Sequence, residues 1–362
     1  MVSISRFIVS LWRKLLILVF VVLLVALGLA YGAWRYFNYW LDQPLAIPAE
    51  GYVYELKPGQ SLGHLAAQLG ADGVLEHPVL LRVYGRLQNA HKIHAGEYRF
   101  DVGATPKSLV SKLLKGEVIL YQVTIVEGWT YAQALDAVGK SPYLRHLLTG
   151  KDMEAQKVLL GLEDMHPEGW FFPDTYSFPR NTTDVDLLRQ AHQKMRHELE
   201  RAWENRAGQL PYKTPYEALI MASIIERETG HHAERDQIAG VFVRRLQQGM
   251  RLQTDPTVIY GMGEKYQGRI SRKHLQEATA YNTYVIDGLP PTPIALPSAA
   301  SIRAALHPAD GNALYFVAKG DGTSEFSATL SEHNAAVRRY QLKRRADYRS
   351  SPPSPQSTNQ TP

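Results

Sequence analysis

The apolar positions change their spacing several times along the chain. From Leu15 to Trp34 the sequence LLILVFVVLLVALGLAYGAW is apolar throughout and carries no charge. That is about 20 residues, the length one helix needs to cross a bilayer. Tyr52, Tyr54 and Leu56 then alternate with other positions, as in a strand. Ser61 is placed to cap a helix whose apolar positions Leu62, Leu65, Ala66 and Leu69 follow the helical period, with Gly70 as its stop. Residues 78–88 predict a second helix with Pro78 at its first position, 94–101 a turn and a closing strand, and 106–116 a short helix ending at Gly116. A strand over 119–128 and a helix-rich stretch over 130–161 follow. Residues 166–180, HPEGWFFPDTYSFPR, hold three prolines and five aromatics and read as a loop whose rings either line a groove or pack on one another as a rigid connector. A charged amphipathic helix over 183–207 presents a solvated face. Strands are expected in 312–328.

A further helix is YEALIMASIIERET, from Tyr216 to Thr229. Thr214 is a natural N-cap, Pro215 suits the first turn, Glu217 completes a capping box, and Gly230 stops the helix. Leu219 through Ile225 are apolar or small on all sides, which predicts burial. Glu226 and Glu228 stand at its end. Two residues apart means roughly 200° of rotation, so the two carboxylates face different neighbours. A helix C-terminus disfavours negative charge, and apolar surroundings raise a carboxyl pKa. A general acid working near neutral pH needs that condition. Ion pairing with Arg227, Arg235 or Arg244 is the plainer alternative for either glutamate.

Composition narrows the setting. The 362 residues are 45% hydrophobic and 21% charged, enough to build a core in about two domains. There is no cysteine, which excludes disulfides, thiolate catalysis and cysteine-ligated metal centres. Net charge is +5 and the sequence pI about 9.1. That balance suits an anionic partner, but no tight Lys/Arg block points to nucleic acid. Arg6, Arg13 and Lys14 precede the apolar run, so the positive-inside rule puts residues 1–14 in the cytoplasm, 15–34 across the membrane and the remainder outside. Trp12 on one side and Trp34, Tyr36, Tyr39 and Trp40 on the other read as interfacial belts. A cleaved signal peptide is the alternative, but LAYGAW offers a poor cleavage site. Residues 41–50 read as a linker and the tail from Ser350 as disordered. His231, His232 and Glu234 lack the spacing of a helical metal pair, and neither metal nor cofactor is expected.

Two resemblances add to this reading. The strand-helix-helix-strand order of residues 50–102, with its KPGQSL, resembles a LysM domain, a small module that binds peptidoglycan sugars; the LysM-like subdomain spans 51–118, and a spacer of the same topology with no ligand is the alternative. The segments RRLQQGMRLQTDPTVIYGMG (244–263), TAYNTYVIDGLPPTPIALPS (279–298), ALHPADGNALYFVAKGDGTSEFS (305–327) and HNAAVRRY (333–340), together with Glu226-Arg227-Glu228-Thr229, resemble the YceG-like family over residues 119–347. The resemblance implies an α+β fold with a single N-terminal transmembrane helix, a LysM-like subdomain and a larger catalytic domain. It implies a lytic transglycosylase of the cell inner membrane, with the catalytic domain in the periplasm. Its substrate would be nascent peptidoglycan strands, and its partners a peptidoglycan synthase complex and the membrane. By the same resemblance Glu228 is the acid, with Glu226 left as the alternative. Glu228 protonates the bridging oxygen of the MurNAc–GlcNAc bond, then takes the proton of the MurNAc 6-hydroxyl as that group closes on the anomeric carbon. The product is a 1,6-anhydro end, and one carboxylate does the work that most glycosidases divide between two. Gln253, Asn282 and Tyr284 are candidates for holding sugars. Asp255, before Pro256, reads as a turn former. A non-catalytic scaffold and a hydrolytic muramidase are the competing functions.

Overall fold

A computed structural model describes residues 2–90, 92–228 and 231–342. The helix stop expected at Gly230, Thr229 before it and the tail from Ser350 lie outside the described residues. The architecture is mixed α+β, in two compact units, residues 1–121 and 122–362.

In the first unit, helix α1 runs from Val2 to Leu41. Its stretch Trp12–Leu41 is long and apolar enough to cross a membrane, with a mean hydropathy of 2.9 over its most apolar window. Residues Leu15 to Trp34 are exposed without interruption. A helix that is apolar on every side and packed by nothing is the form expected for lipid surroundings. Trp40 departs from the expected interfacial belt. It is buried with Leu41 in the core of this unit, because the chain turns into the domain there. Strands β1 (Tyr52–Leu56) and β2 (Gly96–Phe100) pair antiparallel, with Tyr54 opposite Tyr98. The expected alternation is seen in β1, and Leu56, Tyr98 and Phe100 close the core. Helices α2 (Leu62–Ala71), α3 (Pro78–Leu87) and α4 (Pro106–Lys115) pack around it. Gly116 ends α4 in the left-handed conformation, as expected. Gly70 does not stop α2, which continues to Ala71. Its role is steric: a Cβ there would stand 2.5 Å from the Pro78 ring, so glycine lets α2 and α3 approach.

In the second unit, β3 (Leu120–Thr124) and β4 (Thr175–Pro179) form a two-stranded sheet. The expected loop at 166–180 thus ends in a strand. Alternating Tyr176 and Phe178 are buried, and period-two burial outweighs the local proline signal. Helices α5 (Tyr131–Gly139) and α6 (Met153–Leu160) precede it, and α7 (Asp184–Glu204) follows with Thr183 as N-cap. At the centre stands α8 (Pro215–Glu228), with every residue from Ala218 to Ile225 buried. Around it pack α7, α9 (Arg235–Gln247), α10 (Asp255–Met262) and, beyond a short α11 (Arg272–Gln276), α12 (Ala299–Leu306). The one polar side chain in the α8 interior, Ser223, donates to Ile220 O at 2.7 Å and accepts from Ile294 N at 3.0 Å, so its burial leaves nothing unpaired. The antiparallel hairpin of β5 (Tyr315–Ala318) and β6 (Ser324–Ser327) and then α13 (Leu330–Val337) complete the unit.

Candidate active site

The start of α8 differs from a simple capping box. Thr214 Oγ1 accepts from Glu217 N at 3.3 Å, while Glu217 accepts from Lys213 N at 2.5 Å, one residue earlier than expected. At the other end of the helix the two glutamates part company, as their 200° separation requires.

Glu226 turns into the protein. Its Oε2 accepts from Ser298 N at 2.9 Å, Ser298 Oγ at 2.5 Å and Ser301 Oγ at 2.7 Å, and Oε1 lies 3.6 Å from the Arg235 guanidinium. Both side chains of that ion pair are 7% exposed. Glu226 therefore ties the end of α8 to the beginning of α12, where Ser298 is the N-cap. The plainer alternative for a glutamate at this helix end, pairing with Arg235, describes Glu226.

Glu228 turns the other way, into a cleft of about 860 Å³. Thr254 Oγ1 donates to its Oε1. The carboxyl keeps access to the cleft but is otherwise enclosed, and this burial pushes its pKa up to about 7, with the Asp255 charge adding to the rise. The Thr254 hydrogen bond and the Arg245 charge pull the other way. Enclosure prevails because the single neutral donor replaces only part of the water a carboxylate loses. At neutral pH the group is poised between acid and base.

The cleft walls come from distant parts of the chain. Arg227 and His231 flank Glu228, and Gln253, Asp255 and Tyr284 form the polar side. Tyr315, Phe316 and Val317 of β5 and Leu330 and His333 of α13 form the other. Gln253 holds a left-handed backbone, φ +51°, unusual for a residue with a side chain. Threonines lock this segment in place. Thr254 N donates to Thr283 Oγ1 at 3.0 Å, and Thr257 and Thr283 share a hydroxyl bond of 2.9 Å. Tyr284 O–H donates to Asp255 at 2.7 Å. Asp255 opens α10 and faces the cleft, beyond the turn-forming part expected of it.

Of the three sugar-holding candidates, the structure brings Gln253 and Tyr284 to the cleft beside Glu228 and places Asn282 elsewhere. Asn282 is 1% exposed, and its amide donates to His274 O at 3.1 Å and Glu277 O at 2.7 Å. Its Oδ1 accepts from Tyr284 N at 3.0 Å, so it shapes the loop that presents Tyr284. The aromatics of 166–180 also face inward and do not line this cleft. Phe171 is fully buried, and Trp170 stacks on Tyr216 with ring centroids 5.7 Å apart.

Sequence reasoning passed over Arg245 and Glu168. Arg245 is buried, with its Nε on Leu314 O at 2.7 Å, an Nη on Leu252 O at 2.7 Å and its charge 5.1 Å from the Tyr315 ring centre. It joins the Gln253 segment to β5 and sets a fixed positive charge in the cleft wall. On the sequence it is one of two adjacent arginines on a helix, which reads as a solvated pair. Glu168 is 3% exposed; it accepts from Tyr131 N at 2.9 Å and Tyr260 O–H at 3.0 Å. Burial pushes its pKa up to about 7 despite those bonds. Because the folded protein holds this proton more tightly than the unfolded chain, stability is greatest below about pH 4.5 on this account and falls as pH rises toward 7. Glu168→Gln is expected to flatten that slope. Chemical denaturation at pH 5 and pH 8 measures it, and an unchanged difference between the two would show that Glu168 is not the source.

The model of the YceG-like family matches residues 54–339. The chain is 31% identical to the endolytic murein transglycosylase of Bacillus subtilis (strain 168) over 300 residues, 78% of this chain and 82% of that protein. It is 27% identical to the endolytic murein transglycosylase of Streptococcus pneumoniae (strain D39) over 364 aligned positions, covering 88% of this chain and 63% of that longer protein. A crystal structure of a yceG-like protein from Listeria monocytogenes superimposes with a TM-score of 0.50 at 29% identity, over 80% of this chain and 99% of that one.

Proposed function

The chain belongs to the YceG-like family, and from that premise we propose that it is a peptidoglycan lytic transglycosylase, an endolytic lyase that cuts the MurNAc–GlcNAc bond of nascent strands. The observation that carries the reading is Glu228: a single enclosed carboxyl, poised near neutral pH, on the wall of a cleft large enough for several sugars. Such a group can protonate the bridging oxygen and, once ionised, accept the proton of the MurNAc 6-hydroxyl as it attacks the anomeric carbon. The C–O bond to GlcNAc breaks, a C–O bond within MurNAc forms, and no water is consumed. Positive charge developing at the anomeric carbon is met by the polar side of the cleft. Gln253 and Tyr284 are placed to hold the flanking sugars, and Asn282 to support Tyr284. The order of β1, α2, α3 and β2 supports a part for residues 51–118 in positioning the strand. Cutting a strand internally while it is being made would end its elongation, and this supports a peptidoglycan synthase as partner.

Digestion of uncrosslinked glycan by the full-length protein, read by mass spectrometry, is expected to release chains with 1,6-anhydro-MurNAc ends. Reducing ends in their place would establish a hydrolytic muramidase, and unchanged strands a scaffold.

The apolar α1 and the basic residues before it support a single-pass anchor in the inner membrane, N-terminus inside, with the catalytic domain in the periplasm. A reporter fused after Arg349 that requires export for activity should be active. Activity of a reporter that works only in the cytoplasm would reverse the topology.

A further inference from the structure

Helix α3 carries a stripe that the proposed glycan chemistry leaves unused. Val79, Val83 and Leu87 follow one another four residues apart and are 58%, 41% and 67% exposed. On the opposite face Leu81 and Gly85 are buried in the core of the first unit. Arg82 and Arg86 run along one edge of the stripe and are exposed. Beside them a shallow pocket of about 340 Å³ is lined by Ser61, Arg82, Arg86 and Asn89. Exposed valine and leucine at helical spacing, bordered by arginine, is the pattern of a helix lying in a membrane interface.

The place of α3 in the unit supplies the second argument. It sits against the part of α1 that follows the charge-free run. Tyr36 O–H lies 3.3 Å from His77 Nε2, the Phe37 and Tyr84 rings meet edge-on at 6.3 Å, and Trp40 approaches His77. Phe37 is three residues past Trp34, about one helical turn. The core that α3 covers contains Trp40 and Leu41, the residues that close α1. The exposed stripe lies on the other side of α3 from that core.

The geometry points to α3 as an interfacial helix that lays Val79, Val83 and Leu87 into the bilayer that α1 spans, with Arg82 and Arg86 on anionic phospholipid headgroups. The inference rests on the reading of α1 as a membrane span. Lipid is favoured as the occupant because α3 is packed against α1 directly past its apolar run, through Phe37 and Tyr84, and because the border of the stripe is cationic. Anionic lipid surfaces attract juxtamembrane arginines. The consequence for function is a first unit tilted and held at a set height, so that its glycan-handling part meets strands close to where the anchor emerges.

The chain has no cysteine, so one introduced cysteine takes a nitroxide label uniquely. The full chain is reconstituted at low protein density in bilayers of phosphatidylcholine alone and of phosphatidylcholine mixed with phosphatidylglycerol. Labels are placed by Val83→Cys and Leu87→Cys, by Lys57→Cys as an exposed site in the same unit, and by Val22→Cys in the middle of the span. Accessibility to oxygen against a water-soluble nickel chelate is then read by power saturation. The expected result is an oxygen preference at 83 and 87 several-fold above that at 57, larger with phosphatidylglycerol, and reduced toward the value at 57 by Arg82→Glu with Arg86→Glu. If 22 reports lipid while 83 and 87 match 57 in both bilayers, the α3 inference is overturned and the span reading stands. If 22 reports water, the span reading fails and takes the inference with it. A preference seen only at high protein density would show that a second copy covers the stripe. One indifferent to phosphatidylglycerol and to the double charge reversal would remove the headgroup contact from the proposal.

Discussion

Glu228→Gln is expected to fold normally and to make no 1,6-anhydro ends. Gln keeps the shape of Glu and an amide oxygen that can still accept the Thr254 hydroxyl, so the contacts at the end of α8 survive. It is also a fair helix former. What it lacks is a proton to give to the leaving oxygen and a base to take one back. General acid–base assistance by one group contributes about 10²–10⁴-fold in rate, and here the same group serves both steps. The loss should sit at or above the upper end of that range. The wild-type pH profile carries the same signature. The acid must start protonated, and burial has pushed its pKa up to about 7. Activity should therefore fall as pH rises through about 7. Removing the Asp255 charge by Asp255→Asn should move that limb toward lower pH, since Asp255 contributes to the rise. Release of anhydro-ended chains from uncrosslinked glycan, with circular dichroism to verify folding, measures all of this. A folded Glu228→Gln protein that works at near wild-type rate would remove Glu228 from the chemistry.

Glu226→Ala is expected to damage the fold more than any other single change at the site. It deletes the acceptor of three hydrogen bonds from Ser298 and Ser301 and leaves the Arg235 guanidinium buried without its carboxylate. Breaking a buried ion pair by removing one partner typically destabilises by about 3–5 kcal/mol. Glu226→Gln keeps one oxygen for the serines and should be milder. Thermal denaturation should show a large drop for Ala and a smaller one for Gln, with the folded fraction of Glu226→Gln retaining most of its activity. That split separates a positioning residue from a catalytic one. If Glu226→Gln melts like wild type but is inactive, while Glu228→Gln still cuts, the two roles must be exchanged.

Much of the local structure was legible because local rules generate it. Thr214 accepts from Glu217 N at the start of α8, as the sequence leads one to expect, and no distant contact is needed for a hydroxyl to accept a nearby N–H. The apolar run of α1 is read directly, since length and absence of charge are sequence properties. The burial of α8 follows from apolar residues on every side. Where two signals compete, the reading slipped. At 166–180 the prolines spoke for a loop and the aromatics for a groove. The folded chain instead pairs Thr175–Pro179 with β3 and turns the rings inward, because burying several aromatic faces outweighs a local turn preference.

The two glutamates mark the boundary between what one chain of letters determines and what folding adds. Sequence alone was enough to show that Glu226 and Glu228 end a buried helix and point about 200° apart. Helical period fixes directions around an axis and says nothing of what waits in each direction. Tertiary structure alone put Ser298, Ser301 and Arg235 around Glu226, and a cleft, Thr254, Asp255 and Arg245 around Glu228. It likewise turned Gln253 and Tyr284 toward that cleft and folded Asn282 away from it. The cause is range: capping, periodicity and charge runs act within a few residues, whereas the groups that set the pKa of Glu228 come from segments 17 to 27 residues further along the chain, brought together only when the core closes.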